Sequence, residues 1–227
     1  MLDPRYSRNT NALSVKDVHA LHAAKVCVVG GGGLGGYIVE ILARVGVHHI
    51  TLVDYDVFEP NNLNRQLFCE EALINMHKAD AAQQRVAKVN SNVKFSAVKE
   101  KLTIHNAARL IHGHNIVMDA LDNIESRLIL GNACSAQNIP MIHGSIAGWY
   151  GQVAVIFPGS NILDKLYCDI ANEHGIEREL GNLPFSASLV ASLQCAECVK
   201  ILTGKEAEYS VLQIDMLRGE FCKICAS

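Results

Sequence analysis

The chain has 227 residues, of which 49% are apolar and 19% are charged, so its composition is that of a globular protein rather than a disordered one. Its net charge of −3 argues against a general nucleic-acid binder, which usually carries a basic excess. The first residues lack the pattern of a secretion signal, and no apolar run approaches the roughly 18 residues that a membrane span needs. We therefore expect a cytoplasmic protein that makes no membrane contact and whose eight cysteines are reduced.

Strands and helices alternate through the first two thirds of the chain. A polar leader precedes a helix over 15–24 that Ser14 caps. Apolar periodicity, glycines and caps then predict, in order, a strand over 25–29, a helix over 34–44 ending at Gly46, a strand over 49–54, a polar loop over 55–66, a helix over 78–90, a strand over 93–98, a helix over 106–113, a strand over 116–119, a helix over 126–137 and strands over 141–144 and 151–157.

The pattern changes after Pro158. An irregular stretch over 159–184 leads to a helix over 186–202, a last strand over 210–215 and a short tail. Helices between successive strands, and apolar runs such as 26–29, favour a parallel sheet that is covered on both faces. We predict an α/β fold with a doubly wound, mostly parallel, Rossmann-like sheet and a small C-terminal extension. One domain would span 1–227, with a leader over 1–24, a nucleotide-binding part over 25–158 and a crossover part over 159–227.

A glycine run joins the first strand to the helix after it. Gly30, Gly32 and Gly35 have the spacing of a dinucleotide-type fingerprint, in which backbone and a helix N-terminus approach a phosphate. Asp54 ends the next strand, where a carboxylate can bind a ribose hydroxyl. The motif alone indicates a nucleotide and is most common in redox enzymes.

Charged residues further along narrow that prediction. Asp56, Asp119 and Asp122 follow strands whose carboxyl ends should border one crevice, and Arg65 and Lys78 follow Asp56 in the chain. Two cations and a carboxylate able to bind a metal suit a nucleotide triphosphate with Mg²⁺, whereas a hydride-transfer enzyme needs no such cations. By itself, Asp119 is expected to hydrogen-bond near its own strand end.

Taken together, these motifs resemble those of the ThiF/MoeB/HesA family, the bacterial relatives of ubiquitin-activating enzymes. The matching stretches cover most of the chain: Arg5–Asn9, Val29–Gly35, Gly46–Val47 through Asp54–Asp56, Asn61–Gln66, Lys78, Asp119–Asn123 with Arg127 and Asn132, Gly151–Gln152 and Ser192–Gln194.

The resemblance implies an enzyme that uses ATP and Mg²⁺ to adenylate the C-terminal glycine carboxylate of a small ubiquitin-like sulfur-carrier protein, releasing pyrophosphate. Arg65, Gln66 and Lys78 would hold the phosphates, Asp122 would bind Mg²⁺, and Arg8 would reach the neighbouring site of a homodimer. The positions that the resemblance assigns to nucleotide binding are Gly30, Gly32, Gly33, Gly35, Asp54, Asp56, Asn62, Gln66 and Asn123. The carrier would dock beside the strand over 151–157 and the stretch over 159–184.

The cysteines invite two further hypotheses. Relatives often hold a structural Zn²⁺ with two C-x-x-C pairs, but here the first pair is missing, so we expect no zinc despite Cys222 and Cys225. Cys195 and Cys198 lie on a helix face that should be buried. Cys168 lies where related enzymes place a nucleophile, although neighbouring acidic residues would oppose its thiolate.

Two alternatives to a sulfur-carrier substrate remain. The same adenylation chemistry fits a small peptide or a threonylcarbamoyl-modified tRNA, although the acidic chain disfavours nucleic acid. An NAD-binding redox or sensor domain would use the glycine motif but would need neither Arg65 nor Lys78.

Overall fold

The computed structural model describes residues 3–167, 177–207 and 210–225. Within these ranges the strands are β1 Lys25–Val29, β2 His49–Val53, β3 Lys94–Val98, β4 Ile116–Asp119, β5 Met141–Ala147, β6 Tyr150–Ile156, β7 Ser210–Asp215 and β8 Glu220–Cys225. The α-helices of the same ranges are α1 Val15–Ala23, α2 Gly33–Val45, α3 Lys78–Val89, α4 Ala107–Ile111, α5 Ile124–Ala136, α6 Ile162–Tyr167, α7 Glu177–Leu180 and α8 Pro184–Leu202.

The strands form one sheet in the order β3-β2-β1-β4-β5-β6-β7-β8. Neighbours from β3 to β5 pair in parallel, whereas β6, β7 and β8 pair antiparallel. Successive residues of β1 enter different cores: Val26 and Val28 pack with α1, α2, α3 and α8, and Cys27 and Val29 pack with α4, α5 and α6. The doubly wound, mostly parallel α/β fold is thus confirmed.

The C-terminal third is more regular than the sequence predicts. β5 continues to Ala147, three residues past its predicted end, and turns at once into β6. The predicted tail forms β8, which pairs with β7 from Cys225 to Glu220. The stretch over 159–184 contains α6 and α7, and α8 begins at Pro184, because proline suits the first turn of a helix. Residues 168–176 of that stretch lie outside the described part.

Helix α8 differs from the expectation that no segment is long and apolar enough to span a membrane. It is the one helix of the described ranges that is long and apolar enough to cross a bilayer, judged by length and composition alone. Its small and apolar side chains, Ala187, Val190, Ala191 and Cys195 among them, are buried against α2, β5 and β6. Packing inside the fold therefore accounts for its apolar content.

The N-terminal segment is attached to the body by a polar aromatic cluster. The Tyr6 hydroxyl accepts a hydrogen bond from Asn90 Nδ2 at 2.8 Å and lies 3.2 Å from His48 Nε2. The His48 ring stacks on the His22 ring, with 3.8 Å between the centroids. Burial lowers the pKa of both histidines, and the charge of His22 lowers the pKa of His48 further.

We predict that this pair makes stability depend on pH. The unfolded chain binds protons that the folded cluster resists, so the free energy of unfolding should fall as the pH drops below the ordinary histidine pKa of 6.5. Among described residues His22 Nε2 has no hydrogen-bond partner, so His22→Phe should keep the stacking and reduce this dependence by the part that the pair contributes. Urea unfolding above and below this pH measures it.

The exposed His105 provides the control, because His105→Phe should leave the wild-type pH dependence in place. An equal loss of stability on acidification in wild type and His22→Phe would contradict the role of the stacked pair.

Candidate functional site

A crevice opens at the carboxyl ends of β1, β2 and β4, where the strand order runs from β1 outward in both directions. Such a point in a doubly wound sheet is the usual place for a ligand. The residues predicted from sequence that line it are Gly30, Gly32, Gly33, Asp54, Asp56, Arg65, Gln66, Lys78, Asp122 and Asn123. The structure therefore places the two cations and the acidic loop of the prediction around one space.

The start of α2 forms one wall of this crevice. A Cβ on Gly35 would lie 1.8 Å from the carbonyl oxygen of Gly30, so this glycine is required by the packing of the turn itself. A Cβ on Gly33 would meet nothing closer than 3.6 Å, and Gly33 faces the crevice. Gly32, the N-cap, supplies no side chain to the first amide groups of α2, which leaves them available for an anion.

The Asp54 carboxylate is hydrogen-bonded to the backbone of the glycine turn. Its Oδ2 accepts a hydrogen bond from the Gly31 amide at 2.6 Å, and its Oδ1 accepts one from the Asp56 amide at 2.7 Å. Burial nevertheless raises the pKa of Asp54, against the opposing effect of the Lys78 charge. A buried carboxylate at the end of β2 fits the ribose-binding role proposed from the sequence.

The two basic side chains approach from different elements. Lys78 begins α3, is only 7% exposed, and pairs with Asp56 Oδ2 at 3.0 Å. Arg65 belongs to the loop before α3, where its Nη1 donates to the Asn61 carbonyl and to Asn64 Oδ1. Burial lowers the pKa of Arg65 although Asp122 acts in the opposite direction. Both cations are therefore held in place before any ligand binds.

Asp122 lies on the loop between β4 and α5. Its Oδ1 accepts from Asn123 Nδ2 at 3.2 Å, and Asn123 Oδ1 in turn caps α5 through the Ser126 amide. No group of three or more side chains of the metal-binding types clusters within the described ranges. Mg²⁺ in nucleotide sites commonly takes one or two carboxylates together with substrate phosphates, and an exposed Asp122 with Asp56 across the crevice fits that donor set.

Three residues of the sequence prediction do not line the crevice. Gly35 shapes the turn without facing the space. Asn62 is buried in its own loop, where its Oδ1 accepts from the Glu59 amide and its Nδ2 donates to Asn61, so it organises the segment that carries Arg65. Arg8 is exposed near the N-terminus and belongs to no wall of this chain's crevice. Its proposed site is in a second subunit.

A second cavity of about 500 Å³ adjoins the crevice and was not foreseen from the sequence. Arg127 and Ile146 line both spaces, while Gln152, Tyr167 and Cys222 line only the second. Residues of β5, β6, β7, β8 and the end of α6 line it together with Arg127 of α5, so most of its wall comes from the antiparallel half of the sheet.

The structure describes some of the cysteines that the hypotheses name and not others. Cys195 and Cys198 are buried in α8, and burial raises the pKa of Cys198 to about 12, which disfavours the thiolate that a metal would need. Cys222 is exposed on β8. Cys168 and the side chain of Cys225 lie outside the described residues. The expectation of no zinc and the nucleophile hypothesis for Cys168 both stay predictions.

A doubly wound sheet whose glycine turn, buried acid and paired cations face one crevice defines a nucleotide-binding α/β protein. The ThiF family model matches residues 6–227, and the chain belongs to that family.

The curated relatives that match this chain are named as adenylyltransferases or as an activating enzyme. The chain is 32% identical to the sulfur carrier protein ThiS adenylyltransferase of Bacillus subtilis, over 91% of the chain and 62% of that protein. It is 29% identical to the molybdopterin-synthase adenylyltransferase of Salmonella typhimurium, over 97% and 95%, and 32% identical to the SAMP-activating enzyme E1 of Haloferax volcanii, over 87% and 75%. It spans about half of the MOCS3 adenylyltransferase and sulfurtransferase of Culex quinquefasciatus, at 48%.

Solved structures agree on the fold. Escherichia coli MccB with ATP superposes with a TM-score of 0.83 at 21% identity, covering 98% of this chain and 72% of that one. The E. coli tRNA N6-threonylcarbamoyladenosine dehydratase TcdA with AMP gives a TM-score of 0.74 at 20% identity, covering 88% and 94%.

Gly35 and Gly33 should respond differently to substitution by alanine. Gly35→Ala should fail to fold or lose several kcal/mol of stability, because the new Cβ would overlap backbone, and overpacking alone costs ~1–3 kcal/mol. Gly33→Ala should keep the wild-type melting temperature but bind ATP more weakly, because its Cβ enters the ligand space. Thermal unfolding with and without ATP compares the two variants. Wild-type ATP binding by Gly33→Ala would contradict this assignment.

Proposed function

We propose that the protein adenylates a carboxylate with ATP, as a ubiquitin-activating-type adenylyltransferase. The observation that carries this proposal is the convergence of Arg65, Lys78 and Asp122 on the crevice that the N-terminus of α2 closes. The triphosphate of ATP carries up to four negative charges, which need cations and amide groups on several sides, and this crevice offers them from three separate elements.

In the proposed step a carboxylate oxygen of the substrate attacks the α-phosphorus of ATP. A new oxygen–phosphorus bond forms, the bond between the α-phosphorus and the bridging oxygen to the β-phosphate breaks, and pyrophosphate leaves with that electron pair. Such a transfer depends mainly on positioning and on neutralising charge. Lys78 and Arg65, held by Asp56 and by the Asn61–Asn64 loop, would stabilise the charge that accumulates on the leaving group.

Asp122 would hold Mg²⁺ together with the phosphates of the substrate. When bound, the ion neutralises phosphate charge and favours departure of pyrophosphate. Asp54 would bind the ribose, and Gln66, whose buried Oε1 lacks a partner among described residues, would accept a hydrogen bond from the nucleotide.

We propose the C-terminal glycine carboxylate of a small ubiquitin-like sulfur carrier as the acyl substrate. The support comes from the named relatives, whose activities concern ThiS, molybdopterin synthase and SAMP. The second cavity shares Arg127 and Ile146 with the crevice, and a Gly-Gly tail without side chains would suit an approach along it. The body of the carrier would dock outside that cavity, beside β6.

The peptide and tRNA alternatives use the same nucleotide crevice, so the acyl substrate decides between them. Exchange of labelled pyrophosphate into ATP should require a purified carrier ending in Gly-Gly and should be absent with the same carrier lacking its last glycine. Exchange supported instead by a short peptide or by threonylcarbamoyl-modified tRNA would replace the carrier proposal and keep the adenylation. Stabilisation of the folded chain by NAD but not by ATP with Mg²⁺ would contradict both the carrier substrate and the adenylation. Binding is readily detected in this way, since a ligand at 100 times its Kd adds ~2.7 kcal/mol to the free energy of unfolding.

We also propose a cytoplasmic homodimer. The free thiols of the described cysteines support a reducing location, and the exposed Arg8, outside the crevice of its own chain, supports a role in a partner's site.

Removal of the Asp122 carboxylate should abolish exchange. Asp122→Ala is expected to lower the rate by ~10²–10³, by analogy with loss of one preorganised transition-state contact, while the fold persists because Asp122 is exposed. Glu125→Ala is the matched control, since Glu125 is an exposed carboxylate three residues away that does not line the crevice. Equal rates for Asp122→Ala and wild type would contradict the assignment.

Mixing inactive variants tests the homodimer. If Arg8 serves the neighbouring site, Arg8→Ala and Asp122→Ala should each be inactive alone. A mixed dimer would then contain one complete site, assembled from the intact crevice of one subunit and the intact Arg8 of the other. Exchange should return after denaturation and refolding of the mixture to about a quarter of wild type, since about half of random dimers are mixed and each has one of two sites. No recovery in a refolded, dimeric mixture would rule out a shared site.

A further inference from the structure

A closed ring of hydrogen bonds lies beneath the loop that carries Asp122. Asp119 Oδ1 accepts from the Leu121 amide at 3.0 Å, and Asp119 Oδ2 lies 2.7 Å from His143 Nδ1. His143 Nε2 lies 3.2 Å from the Tyr167 hydroxyl, which accepts from Arg127 Nη1 at 3.0 Å. Arg127 Nη2 closes the ring by donating to the Leu121 carbonyl at 2.6 Å.

The proton positions in this ring follow from the chemistry of its members. A guanidinium can only donate, so the Tyr167 oxygen accepts from Arg127 and its own hydrogen points to His143 Nε2. His143 therefore carries its proton on Nδ1 and donates it to Asp119. This is the neutral imidazole, and burial lowers the pKa of His143 in agreement.

Three members of the ring, all of them polar or charged, are buried. Asp119 and His143 are 0% exposed and Arg127 is 2% exposed. A broken bond in such surroundings leaves a polar group without water, so ring geometry should be strongly favoured over alternatives.

The location of the ring links the two cavities. Leu121 lines the nucleotide crevice and immediately precedes Asp122, whereas Tyr167 lines the second cavity. Arg127 lines both and holds Leu121 through its carbonyl group. Both peptide groups of Leu121, its amide and its carbonyl, are thus fixed by ring members.

We propose that Tyr167 and His143 are positioning residues that hold the Asp122 loop in its metal-binding geometry through Arg127 and Leu121. This inference rests on the proposed function, because it assigns the loop a role toward Mg²⁺ and ATP. Neither residue lines the nucleotide crevice; they would act by fixing the direction of the Arg127 guanidinium. Without the Tyr167 hydroxyl, Arg127 keeps its charge and its pairing with Asp119 but loses one of the contacts that orient it toward Leu121.

The experiment measures metal-dependent nucleotide binding rather than turnover. The melting temperature of the full chain is followed while Mg²⁺ is titrated at a fixed ATP concentration. Tyr167→Phe removes one hydroxyl from a half-buried ring, and His143→Asn keeps an N–H near Asp119 but has no atom at the Nε2 position. Each should raise the Mg²⁺ concentration at half-maximal stabilisation by about tenfold, the effect of roughly one hydrogen bond to a charged group.

The double variant should show no further increase, because both changes open the same link. His114→Asn is the matched control. His114 is also bonded through both ring nitrogens, to the Ile111 carbonyl and to Thr51 Oγ1, but it precedes β4 at the opposite edge of the sheet. It should lower the melting temperature without changing the Mg²⁺ midpoint, which separates a positioning effect from general destabilisation.

Two results would overturn the inference. A wild-type Mg²⁺ midpoint in folded Tyr167→Phe overturns the inference, and this variant alone decides if His143→Asn does not fold. Equal midpoint shifts in His114→Asn and Tyr167→Phe also overturn it. If the wild-type chain shows no stabilisation by ATP and Mg²⁺, the proposed function fails and the inference fails with it.

Discussion

The start of α2 is the constraint on which the site depends. A helix cannot satisfy its own first amide groups, and here the N-cap is a glycine that offers no side chain to them. The approach of Gly35 to the Gly30 carbonyl forces the helix to begin directly at the end of β1, beside β4. Every other group of the crevice is arranged around that fixed, electropositive helix end.

The charges around the helix end are held at a cost that a ligand would offset. Burial raises the pKa of Asp54 and lowers that of Arg65, so in each case the surroundings disfavour the charged form. Lys78 is nearly buried, with a single partly exposed partner in Asp56. The proposed polyphosphate would bring negative charge to these two cations, of which Lys78 is nearly buried and Arg65 half-buried.

The sequence predicts the local elements and the edge of the sheet at which the site lies. The glycine run, the capped helices and the buried strands follow from spacing, and the parallel order brings Asp54, Lys78 and Asp122 together because strand ends share one edge. The roles of His143 and Tyr167 depend on partners distant in the chain, and no periodicity reports such contacts. A histidine in the mostly apolar strand β5, His143, is the visible signal of the buried ring. The alternation over 221–225 indicates the end of a strand, whereas the start of β8 at Glu220 and its pairing with β7 are given by the structure.

The change from parallel to antiparallel pairing after β5 gives the fold its second cavity. β5 and β6 are joined by a tight connection, so the sheet continues beyond the nucleotide crevice without a crossover helix to cover it there. Residues of β5 to β8 line the cavity there together with the end of α6, and Arg127 from α5 lies at the boundary between the two spaces. In the proposed reaction the nucleotide occupies the parallel half and the carboxylate arrives along the antiparallel half. The two reactants would then meet beside Arg127, which lines both spaces and belongs to the buried ring.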